Sequence, residues 1–277
     1  DISLVPIVEE DVSKRTANEK HFRKLDGTYE VALYDNEVHY YENGTWHDID
    51  NRFIDDGNKL ENKQNAFKTF FPKHLSDNKS IQIKTKDYSI DWRVIDIDKT
   101  SAEYVTNNQK QNVKNELNSI DQSVFYSNIR PNVDLEYILQ GSDVKEYIIL
   151  NDFIDNFSIS FEYSLKNLKL VKLSDGIFFV DLNGEKVFEF EDLFMFDSNN
   201  EVSNDVDIEI IETKKDTYLV TVLPNLDWLS SAVYPVKIDP TLNSVSTYFS
   251  IADTYVSELY PQMNYYQSSD MYLSSTN

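Results

Sequence analysis

The chain has 277 residues, of which 40% are hydrophobic and 13% aromatic, so it can bury a real core and global disorder is excluded. Its 48 acidic and 26 basic residues give a net charge of -22, a field that repels phosphate backbones, and we therefore expect no nucleic-acid partner. Cysteine is absent, which excludes disulfides, thiolate zinc sites and cysteine nucleophiles.

The first part of the chain predicts strands joined by tight turns, because short runs alternate apolar and polar residues and are bounded by Gly, Asn, Asp or Pro. Asn43-Gly44 is a hairpin turn signal between two such runs. A polar, Asn/Gln-rich segment at 106–122 then predicts a long surface loop. The strands predicted before this loop are 2–8, 28–34, 37–41, 45–49, 66–73, 80–85 and 88–97.

The segment 126–151 predicts the central hairpin of the molecule. Its first strand, 133–139, alternates in period two, and the turn Gln140-Gly141-Ser142-Asp143 returns the chain into a second strand at 144–150. The second strand is apolar on both faces at its end. We therefore expect this hairpin to lie inside a larger β-structure that covers it on each side.

The rest of the chain predicts further hairpins, with strands at 157–163, 168–173, 177–182, 187–190, 208–212 and 217–223. A helix near Trp228, capped by Asn225 or Asp227 and stopped by Pro235, precedes a last strand at 234–238. The predicted fold is all-β, an antiparallel, hairpin-rich sandwich or open barrel with this one short helix.

The predicted domains are 1–239, a β-rich domain, and 240–277, a tail with several short aromatic runs that is too short for a closed sandwich. Pro240 lacks the N–H that would continue a central strand, so we expect the chain to leave the sheet there. Limited proteolysis is then expected to cut between Asp239 and Tyr260.

Three phrases resemble the N-terminal, non-repeat region of bacterial secreted RHS/YD-repeat proteins of the wall-associated and polymorphic-toxin type. They are YSNIRPNVDLEYILQGSDVKEYIIL from Tyr126, VHYYENGTWHDIDNRF from Val38 and YPVKIDPT from Tyr234. The tail 253–275 is similar to the opening of a DNRLRE-type β-sandwich module, and this resemblance implies that 240–277 is the truncated start of such a module. The resemblance implies structural roles for its motif residues Tyr126, Pro131, Asp134, Leu135, Tyr137, Lys145, Glu146, Trp228, Pro235, Asp239 and Pro240.

The same resemblance implies a non-catalytic structural or scaffold module that caps or presents a larger toxin or adhesin assembly. It implies secretion to the cell surface or cell wall of a bacterium, with the remainder of the parent polypeptide as partner, and a glycan or protein receptor as a further candidate. No run approaches the roughly 18 apolar residues of a membrane-spanning helix, so no transmembrane segment is expected. On this reading the chain is not an enzyme. A carbohydrate-binding module and a glycan hydrolase stay open as alternatives.

Few side chains are candidates for chemistry. Tyr40, Tyr41 and Trp46 are candidate glycan contacts, although core packing is the favoured interpretation of such rings. Four histidines without a metal-ligand spacing and a chain without a nucleophile-elbow motif argue against metal and serine catalysis, so no cofactor is predicted apart from calcium. The candidate Ca²⁺ ligands are Asp48, Asp50, Asn51, Asp55, Asp56 and Asn58.

Overall fold

The computed structural model describes residues 5–34, 36–104 and 121–244. Of these residues 61% lie in strands and 4% in helices, so the predicted all-β fold is confirmed. None of the helices in the described ranges is long and apolar enough to span a membrane.

The described residues form 25 strands. Those of the first part are β1 (Ile7–Glu10), β2 (Glu19–Lys24), β3 (Tyr29–Leu33), β4 (His39–Glu42), β5 (Thr45–Asp48), β6 (Asp50–Asp55), β7 (Lys59–Gln64), β8 (Lys68–Pro72), β9 (His74–Leu75), β10 (Ile81–Lys84), β11 (Ser89–Val94) and β12 (Thr100–Tyr104). Those of the second part are β13 (Asp121–Arg130), β14 (Val133–Gln140), β15 (Asp143–Leu150), β16 (Ile159–Lys166), β17 (Leu168–Leu173), β18 (Gly176–Asp181), β19 (Lys186–Phe190), β20 (Phe194–Phe196), β21 (Val202–Ser203), β22 (Val206–Lys214), β23 (Thr217–Pro224), β24 (Val236–Asp239) and β25 (Leu242–Ser244). The helices are a 3-10 turn at Val12–Lys14 and α1 at Leu226–Ser231.

The strands make two small and two large antiparallel sheets. The small ones are β1-β2-β3 and the ribbon β4-β5. One large sheet has the order β22-β23-β16-β11-β10-β8-β7-β6, and we call it the eight-stranded sheet. The other, the twelve-stranded sheet, follows the path β17-β18-β19-β25-β15-β14-β13-β12-β9, with β24 also paired to β15 and β20, and β20 paired to β21. Residues of both large sheets share one hydrophobic core, the arrangement of a β-sandwich.

The central hairpin is confirmed as β14 and β15. Its register runs from Val133 opposite Leu150 to Gln140 opposite Asp143, so Gly141 and Ser142 form the loop. The strand β13 pairs with the outer edge of β14, and β24 and β25 pair with the outer edge of β15. The end of β15 is buried on both faces, as its sequence indicates.

The helix α1 lies where it was predicted, and Asn225 caps it by accepting a hydrogen bond from the backbone N–H of Trp228. The sheet does not end at Pro240, however. The Asp239 side chain accepts the N–H of Thr241, and this turn leads the chain into β25, which pairs with β15 and β19. The compact unit therefore runs to Ser244. The division into two domains stays a prediction, and the tail from 245 lies outside the described residues, as does most of the loop predicted at 106–122.

Candidate functional site

Motif residues of the central hairpin meet in a buried hydrogen-bond chain. Tyr137 on β14 and Glu146 on β15 are direct cross-strand partners, and the Tyr137 hydroxyl donates to Glu146 Oε1 at 2.5 Å. Trp92 on β11 donates its Nε1–H to the Tyr137 hydroxyl at 3.3 Å. Since β11 belongs to the eight-stranded sheet and β14 to the twelve-stranded one, these hydrogen bonds cross the core between the two sheets.

The environment of Glu146 favours its protonated form. Glu146 is only 4% exposed to solvent. Burial raises the pKa of Glu146 to about 8; the Tyr137 hydrogen bond opposes this rise and the nearby Asp239 adds to it. The pKa of the Tyr137 hydroxyl is raised by burial and by Glu146, so the phenol also stays neutral.

A further acid acts on this position, and we call Glu146 and Asp239 the carboxyl cluster. Asp239 at the end of β24 is 4% exposed, and its pKa is raised by burial and, to a smaller extent, by Glu191. Burial raises the pKa of Asp143 to about 6, with Glu191 adding to the rise. A buried acid of this kind favours its protonated form, because burial of the charged form costs more free energy than burial of the neutral form.

The other motif residues fix turns and sheet contacts. Tyr126 donates its hydroxyl across the core to the Pro72 carbonyl at 2.7 Å. Asp134 accepts the N–H of Asn128 at 2.6 Å and the side-chain N–H of Asn151 at 2.7 Å. On the hairpin, Leu135 is buried and Lys145 is half-buried. Pro131 lies in the turn before β14, and Pro235 and Pro240 flank β24. Trp228 packs against the core from α1. Structural roles for these motif residues stay predictions.

A second polar cluster, which the sequence does not reveal, joins the N-terminal sheet to the β4-β5 ribbon. His39 is fully buried, its Nδ1 lies 2.7 Å from the Thr16 carbonyl, and its Nε2 faces Asp48 Oδ1 at 3.4 Å. Arg15 bonds both Glu10 and Asp48, while Lys20 bonds Asp48 at 2.7 Å. Burial alone would raise the pKa of Asp48, but these partners hold it well below its usual range.

The candidate glycan contacts do not form one platform. Tyr41 meets Trp46 edge to face with ring centroids 5.1 Å apart, while Tyr40 stacks on His47 at 5.4 Å. Because neighbouring strand residues point to opposite faces, these two ring pairs lie on opposite faces of the β4-β5 ribbon. The tyrosines of the tail lie outside the described residues.

The candidate calcium ligands are spread over separate contacts. Asp48 and Asp50 are held by basic side chains, Asp55 accepts from Lys73, and Asn51 donates to the Gly141 carbonyl. In the described ranges no group of three or more metal-ligating side chains is placed to hold a metal ion. The calcium site stays a prediction.

The chain is similar to wall-associated proteins and to tRNA nucleases of bacilli. It is 27% identical over 274 residues to the tRNA(Glu)-specific nuclease WapA of Bacillus subtilis subsp. natto (strain BEST195). The aligned region covers 94% of this chain and 11% of that protein. It is 28% identical to the tRNA nuclease WapA of Bacillus subtilis (strain 168), and the aligned region again covers 94% of this chain and 11% of that protein. It is 25% identical over 197 residues to the Wall-associated protein of Geobacillus stearothermophilus, which covers 69% of this chain and 75% of that protein.

No family model matches the chain, and no solved structure matches it. The chain spans 11 to 12% of the length of the Bacillus relatives, so the activity in their names belongs to much longer proteins.

These relatives correct three expectations. The non-catalytic scaffold, with its carbohydrate-binding and glycan-hydrolase alternatives, is wrong, because the relatives are named as tRNA nucleases. For the same reason it is wrong to exclude enzymatic activity and a nucleic-acid partner. The error has a physical source: a net charge of -22 and the lack of a catalytic motif describe this segment alone, and neither property extends to the rest of a long polypeptide.

Proposed function

We propose that this chain is a segment of a wall-associated tRNA nuclease. The observation that carries the proposal is the extent of the similarity: 27 to 28% identity over 94 to 96% of the chain to three proteins named as tRNA nucleases. A resemblance that follows the chain nearly from end to end supports common descent of the whole segment rather than of one motif.

Secretion and attachment to the cell wall belong to the same proposal. They are supported by the similarity to the Geobacillus Wall-associated protein, of which the chain covers 75%. The resemblance of its three phrases to the non-repeat region of RHS/YD-repeat proteins, and of its tail to a DNRLRE-type module, agrees with this assignment. The partner of this segment within the proposal is the remainder of its parent polypeptide, and the target of the complete protein is tRNA.

The charge pattern of the segment bears on how tRNA would meet the protein. Several basic side chains are already neutralised by acids on neighbouring strands, as in the pairs Arg93–Glu162 and Lys237–Glu136. Contacts between basic side chains and phosphates supply much of the affinity for nucleic acids, and a basic side chain that is already paired with an acid contributes less to them. Because the net charge of this segment is -22, we propose that the other segments of the complete protein supply most of the cations that bind tRNA and that added salt weakens this binding.

The proposal is tested with the complete parent protein and with the isolated 277-residue chain, each incubated with bulk bacterial tRNA and analysed on a denaturing gel. Cleavage by the complete protein is the expected result, and intact tRNA at enzyme concentrations in excess of substrate would overturn the proposal. The isolated chain locates the chemistry, since cleavage by it would place the reacting groups within this segment. Fractionation of the producing cells with an antibody to the segment should recover the protein with the wall.

A further inference from the structure

A buried acid lies at the contact between the two large sheets, and the proposed nuclease function does not use it. The Glu146 carboxyl accepts from Tyr137, and Tyr137 accepts from Trp92 of the opposite sheet. Tyr137 is fully buried, and Trp92 is 2% exposed. This line of contacts connects the centre of one sheet to the centre of the other.

The groups that face Glu146 come from three strands. Tyr137 on β14 lies directly opposite it, Asp239 on β24 adds a second acid, and Tyr163 on β16 faces it from the eight-stranded sheet. Around Asp239, Glu191 adds a further acid, and Lys145 is the opposing cation. The surroundings of Glu146 therefore tolerate a neutral acid better than a carboxylate.

Ionisation of Glu146 would place a negative charge in the core, and the charge of Asp239 opposes this ionisation. A buried charge without a cationic partner costs several kcal/mol, so the strands must part or admit water to relieve it. The hydrogen bond from the Tyr137 hydroxyl favours the carboxylate and offsets only part of this cost.

We propose that Glu146 forms a pH-sensitive latch at the contact between the two large sheets, closed while its buried carboxyl holds its proton and loosened when the carboxyl ionises and its charge favours contact with water. The sign follows from proton linkage. The pKa of Glu146 is raised from 4.5 to about 8 in the folded protein, so between these values the folded state holds more protons than the unfolded state. Stability from this group is full below the lower value and is lost as pH rises through the upper one.

The test compares urea unfolding of the wild-type chain and Glu146→Gln from pH 5 to pH 9 at constant ionic strength. Glutamine keeps the size of the side chain and an oxygen for Tyr137, but it cannot ionise. Relative to this variant, the unfolding equilibrium constant of the wild type should rise by up to about tenfold per pH unit until the carboxyl is ionised. The matched control is Glu209→Gln, since Glu209 is exposed on β22 and its substitution should leave the wild-type pH dependence unchanged.

Parallel pH profiles for the wild type and Glu146→Gln would overturn the latch. A second measurement needs no variant: in wild-type protein labelled with ¹³C at glutamate side-chain carboxyls, one resonance should titrate near pH 8. If every glutamate carboxyl titrates close to its ordinary value of about 4.3, the latch is equally refuted.

Discussion

The tip of the central hairpin offers a sharp test of how the two large sheets are joined. Gly141 has a φ of +58°, and its carbonyl accepts hydrogen bonds from Asn51 at 2.8 Å and Asn65 at 2.9 Å. Both amides are buried. A Cβ atom at position 141 would lie 2.6 Å from the backbone oxygen of Glu37, so the Gly141→Ala variant has to move the tip or that backbone.

The chain supplies a matched control in Gly184, which has a φ of +88° but nothing within 4 Å of an added Cβ. Alanine at either position takes the left-handed conformation at a cost of about 1 to 2 kcal/mol. At Gly141 the displaced tip also loses its two amide hydrogen bonds, and each buried amide left unsatisfied costs about 1 to 3 kcal/mol. Gly141→Ala should therefore lower the free energy of unfolding by about 3 to 8 kcal/mol, against about 1 to 2 kcal/mol for Gly184→Ala.

The assay is urea denaturation of both variants and the wild type, followed by circular dichroism at one pH and temperature. Equal destabilisation by the two substitutions would refute the close approach at Gly141, because only the shared backbone cost would then remain. If Gly141→Ala does not fold, Asn65→Ala should still give an intermediate loss, since it removes one of the two amide contacts.

Three further predictions address other contacts. Asp134→Ala removes the acceptor of the Asn128 N–H and of the Asn151 side chain, so thermal unfolding should show a loss of about 2 to 5 kcal/mol. Asn225→Ala removes the cap of α1 and should cost about 1 kcal/mol in the same assay, and a loss no larger than experimental error would contradict the capping contact. Because the pKa of Asp48 is lowered in the folded state, Asp48→Asn should destabilise most above pH 5, and its difference from the wild type should shrink as pH falls below the ordinary value of 3.8.

The elements that the sequence predicts well are those in which apolar and polar residues alternate. The central hairpin is of this kind, because its inward positions are large apolar residues with few exceptions. The strands β6 and β7 escaped prediction for the opposite reason. Their inward positions include Asn51 and Asn62, whose amides are satisfied by the Gly141 and Phe67 carbonyls, so the period-two signal is interrupted by polar residues.

The carboxyl cluster is a second feature that the local sequence pattern could not predict. Glu146 is a polar residue in phase with the inward Val144 and Ile148, and only the tertiary fold brings the charge of Asp239 and the ring of Tyr163 to act with it. Sequence reasoning singled out Glu146 and Asp239 through the family resemblance, without a physical reason for an acid at either place. His39 was missed as part of a polar cluster, because Asp48, which faces it, and Arg15, which bonds Asp48, come from separate segments of the chain.

The most direct measurement of the proposed function is sequencing of the tRNA pool after incubation with the complete parent protein. The proposal predicts that intact molecules of one or a few tRNA species disappear and that a discrete new 3′ end appears in each of them. A pool whose ends match the protein-free control, at a protein concentration in excess of tRNA, would contradict the assignment of this chain to a wall-associated tRNA nuclease.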